Sequence, residues 1–180
     1  MSRASLRQKN SNGDCKRKAM ADFKLDGRKW KFLDNPTKYA ENSDFIVEPL
    51  TRQFKTVKKI LDRFQEGRGV LLADDVGLGK TTVGALVAWI VACQDKRVRI
   101  YAPNEVLRRR WAEELERHVP MLETLGAKND NIKQQGRVKR LNAGFIQITT
   151  HATLVDINKP EEKRKHKGNV SIDCDLMIID

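Results

Sequence analysis

The sequence predicts an α/β fold built on a largely parallel sheet flanked by helices. Three observations carry this. Val70-Leu71-Leu72-Ala73 is a short, continuous apolar run; a glycine turn (Gly77, Gly79) leads from it into an apolar helical stretch; and residues 97–102 are β-rich, ended by Pro103 and followed by another helical stretch. Strands alternating with helices read as βαβ units, and a strand apolar on both faces belongs in a sheet covered on both sides.

Taken in order, residues 1–31 carry ten Lys and Arg against three Asp. Low hydrophobicity with high net charge does not offset the entropy of ordering the backbone, so this is read as a basic, poorly ordered arm. Trp30, Phe32, Tyr39, Phe45 and Ile46 follow at irregular spacing and are expected to dock the segment onto the domain behind it. The chain thus divides into a basic arm and docking segment, 1–47, and a domain over 48–180.

Thr51 can cap a helix over residues 51–66, with Phe54, Val57, Ile60, Leu61 and Phe64 on one face. Gly67 and Gly69 close it, and residues 70–73 form the first buried strand. A helix over residues 80–94 follows the glycine turn. Residues 97–102 are the second strand, and Asn104 caps a helix to His118. Residues 120–142 give no decisive pattern. Residues 145–149 are the third strand, 151–157 a turn or short helix, 159–169 a charged loop, and 175–180 the fourth strand. No internal repeat is visible.

Composition narrows the class. The chain has 180 residues, 39% hydrophobic and 33% charged, which suits one globular domain that needs no disulfide or metal staple. Lys and Arg number 35 against 24 Asp and Glu, a formal net charge of +11. The apolar stretch 83–93 is too short for a bilayer span, which takes about 20 residues. The N-terminus lacks the apolar centre of a secretory signal. Cys15, Cys93 and Cys174 are odd in number and far apart, so they fit neither a disulfide framework nor a zinc site. A cytoplasmic location is expected, with a nucleus as the alternative given the basic arm.

The turn at residues 72–82, Leu-Ala-Asp-Asp-Val-Gly-Leu-Gly-Lys-Thr-Thr, carries the chemistry. Gly77 and Gly79 permit positive φ and close approach of backbone to ligand. Amides of such a loop can cradle a polyphosphate at the positive end of the following helix. Lys80 is placed to reach the β- and γ-phosphates, and the Thr81 hydroxyl can coordinate Mg²⁺. The strict G-x-x-x-x-G-K-[ST] pattern would put glycine at position 74, where this chain has Asp74.

That departure matches a known variant. Leu-Leu-Ala-Asp-Asp-Val-Gly-Leu-Gly-Lys-Thr-Thr resembles motif I of the SNF2-family translocases of helicase superfamily 2, with Asp75 in place of the family's usual Glu. Other segments match in order. Gln53 looks like the glutamine that hydrogen-bonds adenine; Arg99-Ile100-Tyr101-Ala102-Pro103 with Leu107 and Trp111 resembles motif Ia, Arg110 standing where Gln is usual. Residues 148–154, including Thr150, resemble the segment that contacts the nucleic-acid backbone. Leu176-Met177-Ile178-Ile179-Asp180 looks like the strand of motif II. The resemblance covers residues 48–180 and implies a RecA-like P-loop NTPase domain that binds ATP and Mg²⁺. It places Gln53, Asp75, Val76, Gly77, Leu78, Gly79, Lys80, Thr81 and Thr82 at the nucleotide and Thr81 and Asp180 at the metal.

Hydrolysis also needs a group that orients water and positive charge on the transition state. The family's water-orienting glutamate would follow Asp180, and its arginine fingers come from a second RecA-like domain. The sequence therefore reads as the N-terminal lobe of a larger motor, able to bind ATP but not to hydrolyse it alone, with Asp180 fraying at its end. Ligands of parallel sheets gather beyond the carboxyl ends of the strands, so Pro103, Asn104, Arg108 and Thr150 are the expected DNA-backbone contacts. Further basic clusters lie at Arg109, Arg110 and Arg117, at Lys133, Arg137, Lys139 and Arg140, and at Lys163, Arg164, Lys165 and Lys167. Aromatics are scarce among them, which favours backbone contact over sequence readout. His118, His151 and His166 show no metal spacing and read as a helix-end, a loop and a surface residue. Trp89 and Trp111 read as core. Two alternatives stay open: a P-loop NTPase unrelated to nucleic acid, and a non-catalytic basic DNA-binding module whose glycine turn is structural.

Overall fold

The structure, a computed structural model, describes residues 23–41, 43–73, 77–122, 132–134, 146–152 and 174–180. Local caps start the fold inside the segment read as disordered. Asp26 accepts from the Arg28 amide at 3.0 Å and opens a 3-10 helix over Gly27–Asp34. Asn35 accepts from the Lys38 amide and opens helix α1 (Pro36–Ala40), with Pro36 in the first turn where a missing amide costs nothing. Leu25, Trp30, Leu33 and Tyr39 are buried, and that apolar cover offsets the ordering entropy the charge count alone suggested would prevail. Ile46, expected to dock, is instead 72% exposed, because it stands at the N-cap of the next helix with its side chain in solvent.

Helix α2 (Val47–Gln65) begins a turn before Thr51. Pro49 is tolerated in that first turn. Thr51, expected as the cap, donates its hydroxyl back to the Val47 carbonyl at 2.7 Å, the usual arrangement for a threonine inside a helix. Leu50, Phe54, Val57, Ile60 and Leu61 form its buried face. Gly67 ends it at φ +71°, with Arg68 N donating to Arg63 O and Gly67 N to Phe64 O, both at 3.0 Å.

Residues 70–73 are not a strand, which corrects the first strand expected. Val70 is 42% and Leu71 91% exposed. An apolar run needs cover, but a strand also needs a neighbour for its amides and carbonyls, and this segment lies across a cleft from the edge strand of the sheet.

Helix α3 (Lys80–Ala92) is apolar all round, and every residue from Ala85 to Ala92 is buried. It packs between α2 and α4 (Glu105–Leu122). The Trp89 indole N–H donates to the Leu115 carbonyl of α4 at 2.8 Å. Asn104 caps α4 by accepting from the Leu107 amide at 2.9 Å. The helix runs past His118 because Pro120, sitting in its last turn, removes a ladder bond without ending it.

The sheet has four parallel strands in the order β2-β3-β1-β4: β1 (Val98–Ala102), β2 (Ile132–Gln134), β3 (Ile146–Thr150) and β4 (Leu176–Ile179). Strand β2 falls within residues 120–142, the stretch without a decisive pattern. Val98, Ile100, Ala102, Ile146, Ile148 and Leu176 join the helices in one core. The alternate positions Arg99, Tyr101, Gln147 and Thr149 are equally buried on the other face.

Candidate functional site

Gly77 and Gly79 hold φ of +88° and +81°, where L side chains are strained. Helix α3 starts on Gly79 with no side-chain cap, the kind of helix start that offers amides to an anion. Gly77 faces open space. A Cβ at Gly79 would collide with the Gln53 side-chain amide, so α2 lays the glutamine expected at adenine directly against the loop. Leu78, Lys80, Thr81 and Thr82 are half-buried. Asp75 and Val76 lie outside the described residues.

Lys80 and Asp180 line one cleft of about 200 Å³ between residues 70–72 and β4. Asp180, expected to fray, is held here by two hydrogen bonds. Its amide donates to the Tyr101 carbonyl at 3.1 Å, and its Oδ2 accepts from Trp111 Nε1 at 2.9 Å. Trp111 reaches it because position 84 has no side chain: a Cβ there would stand 2.5 Å from Trp111 Cη2. Trp111 is thus core, as expected, and also the residue that holds the carboxylate. Among the described residues Thr81 makes no direct bond to Asp180.

A buried polar chain runs behind the loop. Thr82 Oγ1 donates to Glu114 Oε1 at 2.6 Å, His118 Nε2 lies 3.4 Å from the same oxygen, and Tyr39 Oη bonds His118 Nδ1 at 2.8 Å. His118 is fully buried and stacks on Phe45 with centroids 4.7 Å apart, which corrects its reading as a helix-end residue. Burial, with the Glu114 carboxylate next, keeps the Tyr39 phenol protonated by raising its pKa. Tyr39 Oη engages Nδ1, which leaves Nε2 facing Glu114. Nε2 stays at ion-pair distance without forming a hydrogen bond. The His118 contact foremost, then Thr82 and Arg117, hold the Glu114 carboxyl below its ordinary value against the opposing effect of burial.

Desolvation lowers the His118 pKa, outweighing Glu114 and Asp44, which favour the cation; Arg117 opposes it. A depressed histidine contributes stability that is whole above its unfolded value, about 6.5. That contribution is lost as pH falls toward the folded value, because only the unfolded chain takes the proton. Glu114 adds a further loss of the same sign in the carboxylate range. The thermal midpoint is expected to fall between pH 7.5 and 5.5, by up to about 1.4 kcal/mol of stability per pH unit. In His118→Gln that slope should flatten; an equal slope in both proteins would remove His118 as its source.

The residues expected at DNA lie together at the carboxyl edge. Ala102 is in register with Thr150, so the turns after β1 and β3 leave side by side, and Pro103 and Asn104 are exposed. Asn104 spends its oxygen on the α4 cap. Arg108 is gripped by Glu105 through two bonds of 2.6 and 2.7 Å, which neutralises much of the charge expected to meet a phosphate. The Lys163 cluster and Arg137, Lys139 and Arg140 lie outside the described residues. His151 Nε2 contacts the Tyr101 carbonyl at 3.1 Å.

Comparison with known proteins decides the family. Residues 52–180 match the family described as SNF2-related domain. The chain belongs to that family. Over 120 residues it is also 32% identical to the chromatin-remodeling ATPase INO80 of Arabidopsis thaliana, covering 59% of this chain and 8% of that protein's length. No solved structure matches. The SNF2-related match takes in Gln53, the loop and Asp180 but not Tyr39 or Phe45, so the polar chain behind the loop joins residues inside and outside the matched region. Sequence reasoning missed Glu114, His118 and Tyr39 as parts of the site's surroundings. The spacing of Trp111, Glu114 and His118, one side of a helix, was the signal present. No described helix is long and apolar enough to cross a membrane.

Proposed function

We propose that this chain is the ATP-binding lobe of an SNF2-type, ATP-dependent DNA translocase. The observation that carries the reading is the convergence of two positive-φ glycines, the Gln53 amide against Gly79, and Lys80 sharing a cleft with Asp180. The open cradle at Gly77 and the donor set fit a magnesium nucleotide. Gln53 would meet the base, Lys80 and the amides of residues 75–82 the phosphates, and Thr81 and Asp180 the metal, directly or through water. The nucleotide supplies the phosphoanhydride whose cleavage drives such motors; the residues here bind and orient it. Turnover in such motors also takes a group that orients water and positive charge on the transition state.

DNA is the proposed partner, through backbone contacts at Pro103, Asn104 and Thr150, with Arg108 contributing only when freed from Glu105. The formal charge of +11 and the likeness to a chromatin-remodeling ATPase support DNA over a P-loop NTPase unrelated to nucleic acid. The same likeness supports a nuclear site of action beside the cytoplasmic one expected from sequence. Calorimetric titration of the chain with Mg·ATP tests the reading: saturable uptake at one site is expected, and no uptake at millimolar nucleotide would overturn it.

A further inference from the structure

Helix α4 is hydrogen-bonded to the first turn of α3 through the Thr82 hydroxyl. Thr82 stands two residues after Lys80, in the turn whose amides have the fewest helical partners. Its hydroxyl is committed to Glu114 Oε1 at 2.6 Å. The same oxygen faces His118, and His118 is hydrogen-bonded to Tyr39 of α1, 79 residues before it in the chain. Tyr39 is 3% and His118 0% exposed, so neither group has water as a substitute partner. Arg117 adds a flank to the cluster, 3.8 Å from Glu114 Oε2 and 2.9 Å from Asp44 Oδ1, its guanidinium 4.1 Å over the Phe45 ring.

We propose that Glu114 is a positioning residue for the nucleotide site: it fixes Thr82 by a hydrogen bond, and through its 3.4 Å contact with His118, which is bonded to Tyr39, it couples the first turn of α3 to the N-terminal docking segment. The proposal rests on the nucleotide reading above. A hydrogen bond to a carboxylate at the edge of a buried network is worth more than an exposed one. Losing it frees the turn that carries Lys80 and Thr81. Because the groups act in series, breaking the chain at Tyr39 or at Thr82 should release the same constraint.

The test is binding of a fluorescent Mg·ATP analogue to the full chain, with circular dichroism to verify folding. Thr82→Val keeps shape and removes the donor; its affinity should drop about tenfold. Thr82→Ser restores the donor and should stay within about twofold of wild type. Tyr39→Phe, remote from the loop, should weaken binding about threefold, and adding it to Thr82→Val should cost nothing more. Four results would each overturn the relay while leaving nucleotide binding intact: Tyr39→Phe binding like wild type, Thr82→Val binding like wild type, Thr82→Ser failing as badly as Thr82→Val, or the Tyr39 and Thr82 effects multiplying as independent sites. Should Thr82→Val not fold, Tyr39→Phe and Thr82→Ser still decide. A wild-type chain that takes up no analogue would overturn the nucleotide reading itself, and this inference with it.

Discussion

Lys80→Ala is expected to weaken Mg·ATP binding at least thirtyfold with little change in thermal midpoint. Lys80 is half-buried at the first position of α3 and lines the cleft that Asp180 closes at the other side. An ammonium in such a cleft meets a polyphosphate with part of its solvent already removed. Truncating one partner of a desolvated, hydrogen-bonded charge pair costs about 2–5 kcal/mol, and 1.4 kcal/mol is tenfold in affinity. Alanine is also the best helix former, so α3 should keep its length. Isothermal titration of both proteins, with unfolding curves in parallel, checks this. Equal affinities would mean that the lysine serves the helix surface and not a ligand.

Trp89→Ala is expected to carry the largest loss of stability, about 3–5 kcal/mol, the range for removing a buried tryptophan or phenylalanine. The indole is fully buried in α3 and spans to α4 through its bond to the Leu115 carbonyl. Alanine would leave a cavity and remove that carbonyl's extra donor. For a chain of this length the midpoint should fall by roughly 10 °C. Trp89→Phe separates the two contributions: it refills most of the space but cannot donate, and about 1 kcal/mol should remain missing. A midpoint unmoved in Trp89→Ala would contradict the packing of α3 between its neighbours.

The local grammar of this chain is readable without coordinates. Positive φ at Gly77 and Gly79, the Asn104 cap, the buried face of α2 and the parallel strands at 98–102, 146–150 and 176–179 all follow from spacing and residue type. What escaped reading depends on partners distant in sequence. The run at 70–73 has the composition of a strand, yet pairing is decided by a neighbour, and none stands beside it among the described residues. His118 looks like a polar helix-end residue until Tyr39, on an element before the matched domain, covers it. Ile46 and Thr51 were misread for a smaller reason: the helix starts at Val47, and no side chain marks that start.

Trp111, Glu114 and His118 share one stiff rod, spanning about 10 Å of helix rise. Their attachments to Asp180, to Thr82 and to Tyr39 are therefore ganged on a common shaft. Thermal sliding of that shaft moves all three anchor points by the same vector and leaves their mutual spacing untouched, whereas independent loops would scatter them.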